Sequence, residues 1–198
     1  ENGKVTAKAA GTAVITATSA AGKTAQYKLT VKTPSVKLNA SAKTLYVKGS
    51  PATVTLKATT AGVTGKVTYT SSKPSVVAVA ANGKVTAKAA GTAVITAKCG
   101  NYKATCKITV KKPIVKATAS VNTLFVGGTS QVKVDRTGLT GKVTYGSNSK
   151  SVATVSTSGK ITAKKAGTAT ITVKCGSYKA TCKITVKKGS LKLPWQKS

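Results

Sequence analysis

Four cysteines and a large excess of lysine are the side chains through which this sequence could do chemistry. The cysteines stand as Cys99 and Cys106 in "KCGNYKATCK" and as Cys175 and Cys182 in "KCGSYKATCK". Two thiols at that spacing can close a disulfide, serve as small apolar core side chains, or contribute to a metal site. Metal is the poorest of the three readings. There is no His, the acids are Glu1 and Asp135 alone, and the gap between the thiols is wider than in zinc hairpins. No metal and no cofactor are expected.

The same inventory argues against an enzyme. A Ser–His–Asp arrangement is impossible without His, and two acids cannot supply the paired carboxylates of glycoside chemistry. A Ser–Lys pair is formally available, but nothing singles one out among so many solvated lysines. A self-made Lys–Asn cross-link would need a buried carboxylate. Asp135 could serve, and its neighbour Arg136 makes a surface ion pair the simpler expectation.

The elements that must position these side chains read as strands. "ATVTLKA" (Ala52–Ala58) puts Val54, Leu56 and Ala58 on one face. "GKVTAK" (Gly83–Lys88) turns Val85 and Ala87 inward. "GTAVITAKC" (Gly91–Cys99) sends Ala93, Ile95, Ala97 and Cys99 in and leaves Val94 out, and "CKITVK" (Cys106–Lys111) buries Cys106, Ile108 and Val110. Alternation of this kind gives a sheet one dry and one wet face. Turn signals such as Asn82-Gly83, Val126-Gly127-Gly128 and Ser158-Gly159 separate the strands, so each unit is expected to be a two-sheet sandwich. Both members of each cysteine pair share the inward face. If the turns fall at Tyr102-Lys103 and Tyr178-Lys179, each pair lies directly opposite across a hairpin. A bridge there would stabilise by about 2–2.5 kcal/mol; the other reading is a reduced, buried pair.

The chain repeats itself. "NGKVTAKAAGTAVITA" occurs at Asn2–Ala17 and again, letter for letter, at Asn82–Ala97, with a looser copy at Ser158–Val173. Thr64–Pro113 aligns with Thr140–Gly189 without a gap. The organisation expected is a partial repeat at 1–33, complete units at 34–112 and 113–188, and a tail at 189–198 whose Ser190-Leu191-Lys192-Leu193 echoes Ser35-Val36-Lys37-Leu38. The junctions "VKTPSVK" and "VKKPIVK" hold a Pro and no Gly/Ser run, as a semi-rigid spacer would. Residues 1–33 are expected to form three strands with an open apolar face. They read either as a slice of a longer array or as part of a fibre subunit completed by another chain. With no Met, the chain is expected to be a processed or excised piece of a longer product.

The net charge is +31 from 33 Lys and Arg, with Arg136 the single arginine. Charge of that size favours disorder, but 40% hydrophobic residues in regular alternation argue for folded strands. No apolar run is long enough for a membrane span. Sequence-specific nucleic-acid binding is not expected, because aromatic platforms and arginine forks are missing. A diffuse, salt-sensitive attraction to anionic polymers follows from charge alone. Lysine would also keep Thr-rich edge strands from pairing with neighbours.

"SKPSVVAVAANGKVTAKAAGTAVITAK" and "SKSVATVSTSGKITAKKAGTATITVK" resemble the bacterial immunoglobulin-like group 2 (BIG2) domain. The likeness covers residues 1–33 and both complete units. It implies tandem immunoglobulin-like β-sandwiches on a secreted or surface-exposed bacterial protein, of the kind found in intimin- and invasin-type adhesins. An exported protein sits where disulfides persist, so the resemblance favours the bridges Cys99–Cys106 and Cys175–Cys182. Residues 1–33 carry Ser19 and Tyr27 near those positions, so folding does not require the bridge. The function expected is a non-enzymatic stalk or filament whose partners are neighbouring modules, other copies of the chain, and anionic polymers or cell-surface glycans. The alternatives are a phage virion component or a targeting appendage of a secreted enzyme.

Overall fold

The computed structural model describes residues 3–189, in which strands, turns and irregular backbone account for the whole and no helix forms. An antiparallel hairpin of β1 (Gly11–Thr18) and β2 (Thr24–Val31) comes first. Then follow β3 (Ser35–Leu38), β4 (Ala42–Tyr46), β5 (Thr53–Thr55), β6 (Ala58–Ala61), β7 (Thr68–Ser71), β8 (Val77–Val79), β9 (Lys84–Ala87), β10 (Gly91–Cys99) and β11 (Tyr102–Lys111). The remainder carries β12 (Ile114–Ala119), β13 (Thr123–Phe125), β14 (Thr129–Thr137), β15 (Val143–Ser147), β16 (Ala153–Val155), β17 (Lys160–Ala163), β18 (Gly167–Cys175) and β19 (Tyr178–Lys187). Within the described residues, contacts divide the chain into two compact units, 3–44 with Thr53–Val110, and Leu45–Ala52 with 111–189. Of the tail 189–198, the stretch that echoes a unit start, Ser190-Leu191-Lys192-Leu193, lies outside the described residues.

In the second unit two four-stranded sheets, ordered β13-β19-β18-β15 and β12-β14-β17-β16, make the layers of a sandwich. Alternation builds the core between them. Ala169, Ile171 and Val173 of β18 and Ile184 and Val186 of β19 join Val132, Ala153, Ile161 and Leu124 in one buried cluster. The outward positions of the same strands, Lys174, Lys179, Thr181 and Lys183, are exposed. The chain crosses from one layer to the other between β12 and β13, and β13 then runs parallel to β19.

The first unit repeats this plan with one interruption. Its larger sheet is β4-β11-β10-β7, but the opposite layer is split into β3-β6 and β5-β9-β8. The stretch expected as one strand, Ala52–Ala58, is therefore two, broken at Leu56-Lys57. Its facing is as expected, since Leu56 is buried and Thr53, Thr55 and Lys57 are exposed. Asn39 accounts for the break. Its side-chain oxygen accepts the Lys57 N–H at 3.0 Å, which ends the ladder that β3 and β6 share at Leu38. The equivalent position in the next repeat is Thr118, which stays in register opposite Lys133, and there β14 is continuous.

Residues 3–33 depart further from expectation. Two strands form rather than three. "GKVTAK" at 3–8 is irregular and exposed, although the same letters at Gly83–Lys88 build β9 with Val85 buried. The cause lies outside the hexapeptide: β9 is held by β5 on one side and β8 on the other, and the N-terminal copy has neither. Backbone pairing by partners outweighs local propensity.

Candidate functional site

The cysteines are the side chains the sequence nominated, and register separates them. β10 and β11 are joined by a two-residue loop, Gly100-Asn101, and not by a turn at Tyr102-Lys103. The pairing runs Cys99↔Tyr102 and Ile95↔Cys106. In the next repeat it runs Cys175↔Tyr178 and Ile171↔Cys182. The two thiols of each pair thus share the core face but sit four strand positions apart, about 13 Å at about 3.3 Å per residue. A disulfide needs α-carbons within about 7 Å, so the expected bridges Cys99–Cys106 and Cys175–Cys182 do not form. All four cysteines are free.

The reason is the loop chemistry. Gly100 and Gly176 have φ of +56° and +58°, the left-handed region that a tight hairpin requires at its first loop position. Once that glycine opens the turn, the ladder is fixed and each cysteine faces a partner other than its companion. Cys106 is fully buried opposite Ile95, and Cys182 is half-buried. Burial pushes the thiols of both above the ordinary range; for Cys106 the nearby Lys43 ammonium offsets part of that rise. Protonated thiols in an aliphatic core are space-filling groups and neither nucleophiles nor ligands.

The ion pair expected between Asp135 and Arg136 does not form either. Adjacent residues on β14 point to opposite faces. The Arg136 guanidinium instead donates to the Gly141 carbonyl, and Asp135 accepts from the Thr137 hydroxyl at 3.3 Å. Asp135 is exposed, so the buried carboxylate that a Lys–Asn cross-link demands is not present there. Among the described residues no three His, Cys, Asp or Glu side chains come together.

Polar groups that the sequence reading passed over are structural. Ser130, the buried polar side chain of the second unit, contacts Ser120 Oγ at 3.1 Å and accepts the Val121 N–H at 3.0 Å. Asn148 Oδ1 accepts the Thr170 N–H at 2.7 Å. Ser120 shares its position with Ser41, so the repeat alignment marked it without revealing its bond. The clefts are shallow. One of about 340 Å³ lies on the outer side of the second unit between Thr144, Gly146, Asn148, Thr172 and Lys174. It converges one ammonium and several hydroxyls on open solvent.

What remains is a surface. Every lysine among the described residues is exposed. Lysines even face each other across the hairpins, Lys98↔Lys103 and Lys174↔Lys179, a like-charge pairing that disfavours the sheet. The chain offers solvent hydroxyls and ammonium groups and keeps its aliphatic residues between layers.

Residues 65–112 and 141–188 match the family model described as the bacterial Ig-like domain (Big-like). Both complete units belong to the bacterial Ig-like family. Solved structures of similar fold include the surface-layer protein SbsC, domains 1–6, at 22% identity and a TM-score of 0.50, over 95% of this chain and 36% of that one. SbsC domains 4 and 5 give 26% identity and a TM-score of 0.48 over 78% of this chain and 98% of that one. A C-terminal fragment of intimin, solved with the intimin-binding domain of its translocated receptor, gives 18% and 0.35 over 76% and 62%. The chain thus spans about a third of the longer SbsC structure. No curated protein sequence matches it. Each of its bacterial Ig-like domains is a β-sandwich, as the alternation implied.

Proposed function

We propose that this chain is a non-enzymatic, extracellular structural and adhesive repeat protein of the bacterial surface or its secretions. In this reading Ig-like modules at 34–112 and 113–188 serve as stiff units of a stalk or filament. Their lysine coat draws them to anionic polymers such as acidic glycans or polyphosphodiesters. Neighbouring modules are the other partners. One observation carries the reading: lysine occupies exposed positions throughout the described chain, to the point of opposing Lys98 to Lys103 and Lys174 to Lys179. Such pairing costs stability and is relieved when an anion lies across the pair.

The test is a panel of anionic and neutral polysaccharides and polyphosphates, run at about 50 mM and about 500 mM salt. Affinity for the anionic members should fall at least about tenfold across that range, with no binding to the neutral ones. Salt-independent binding of one neutral glycan would replace diffuse electrostatics by a specific pocket.

A further inference from the structure

Gly146 is a glycine that the fold does not ask for. It lies inside β15 opposite Thr172 of β18, and at the same place the first unit has Thr70 opposite Thr96. Its φ is outside the left-handed region, and a β-carbon built on it would meet nothing within 4 Å. The ladder from Val143↔Cys175 to Ser147↔Ile171 runs through it without a bulge. Glycine inside a strand forgoes packing and loses more entropy on folding than threonine does. Where no bend or crowding requires it, it marks a place where another molecule comes close to the backbone.

A second change accompanies the first. Asn148 stands where the first unit has Ser72, and both cap the adjacent strand. Ser72 Oγ accepts the Val94 N–H at 2.9 Å, and Asn148 Oδ1 accepts the Thr170 N–H at 2.7 Å. A hydroxyl suffices for that bond; the amide adds a donor, Nδ2, which the bond does not use. Both residues border the cleft of about 340 Å³, with Thr144, Thr172 and Lys174 as its other polar walls. Lys179 lies opposite Lys174 on β19 and brings a second ammonium to that end. The volume is near the lower limit of small-molecule sites, roughly 300–1,000 Å³, and far exceeds one phosphate group. Hydroxyls that donate and accept match those of a sugar, and paired ammonium groups call for one anionic substituent. Tyr145 packs into the core beside Gly159, so no ring is left to stack on a neutral sugar and charge must hold the ligand.

We propose that this cleft on the outer face of β15 and β18 is a subsite for one carboxylate-bearing sugar residue of an acidic glycan. The carboxylate sits at Lys174, the ring lies over Gly146, and Thr144, Thr172 and Asn148 take the ring hydroxyls. The subsite rests on the proposed attraction to anionic polymers for its choice of an acidic ligand. It adds preferences that charge alone does not give, for acidic sugar over phosphate and for the second unit over the first.

Amide NMR shifts of the whole chain, titrated with trigalacturonate in about 0.5 M salt where diffuse attraction is screened, test this. Shifts should appear at Thr144–Asn148 and Thr172–Lys174 and not at Thr68–Ser72 or Thr96–Lys98. The methyl ester of the same trisaccharide, and tripolyphosphate, should give none. Gly146→Thr should weaken the trisaccharide at least about tenfold while raising the thermal midpoint, since threonine suits a strand better than glycine. A glycine kept for folding would lower the midpoint instead. Lys174→Gln, a second variant, should reduce trigalacturonate to the level of its ester. Equal shifts in both units, the same shifts with tripolyphosphate, or parental affinity in Gly146→Thr overturns the subsite. No shift in 0.5 M salt, with polyphosphate still bound at low salt, overturns the subsite alone. Shifts as expected, with no polyphosphate bound at low salt, overturn the diffuse attraction alone.

Discussion

Gly83 and Gly159 show how much of each unit hangs on single residues. Both are buried, at φ of +79° and +81°, where a side chain strains the backbone. Gly83 accepts the Leu56 N–H and Gly159 the Val132 N–H, each at 2.9 Å, tying the β9 and β17 hairpins to the strand beside them. A β-carbon at Gly83 would run into the Leu56 carbonyl. At Gly159 the nearest atoms are the Gln131 side chain and the Tyr145 ring, both at 3.0 Å. Gly83→Ala should therefore lower stability by about 1–3 kcal/mol, and Gly159→Ala by less, because Gln131 can swing aside. Denaturant midpoints of the two variants would rank them. The thiols make a second test at this scale. Cys99, Cys106 and Cys175 are buried and Cys182 is half-buried. Access sets the order of reaction, so alkylation at about pH 8 should label Cys182 first, and slowly, because burial raises its thiol pKa. The other three should stay unlabelled until denaturant is added. Mass should be the same with and without reductant.

At the level of strands, what the sequence disclosed was facing and what it concealed was pairing. Ala93, Ile95, Ala97, Cys99, Cys106, Ile108 and Val110 all point inward as their alternation requires, and Val94 is exposed. Parity fixes which side of a sheet a residue takes and says nothing of what lies opposite. The hairpin centre read into "GNYKAT" fell two residues late, and with it went the disulfides. The overlooked signal was Gly100, whose positive φ marks the first position of a two-residue loop. The break at Leu56-Lys57 was not legible at all, since it depends on Asn39 reaching a backbone N–H across the sheet. The hexapeptide "GKVTAK" is the sharpest case, because no local reading can tell one copy from the other. Amides of Lys84–Ala87, paired on both sides, should exchange far more slowly than those of Lys4–Ala7 within the same molecule. Equal protection would mean that the hexapeptide carries its own strand preference and that partners matter less than argued.

Across the whole molecule the dominant quantity is charge. With 33 cationic side chains against two acids, the folded chain works against its own repulsion, and folding concentrates that charge by gathering an extended chain into compact units. Screening should therefore stabilise it. Raising salt from about 10 mM to about 150 mM shortens the Debye length from roughly 30 Å to roughly 8 Å, enough to uncouple lysines far apart on the surface while leaving directly opposed neighbours such as Lys98 and Lys103 coupled. The thermal midpoint should climb over that range. A polyanion should do more than salt does, because it is held by several lysines at once and releases counterions on binding. Inorganic polyphosphate added at constant ionic strength should thus raise the midpoint further than sodium chloride, and the extra rise should vanish in about 0.5 M salt. The paired lysines should account for part of it. Lys98→Thr with Lys174→Thr leaves the repeat plan intact, since both positions are exposed strand sites and Thr suits them. That double variant should be at least as stable as the parent in low salt, because it removes two like-charge pairings, and should gain less from polyphosphate. A variant that lost stability in low salt would show that those lysines serve the sheet through their alkyl stems and that their charge is incidental to binding.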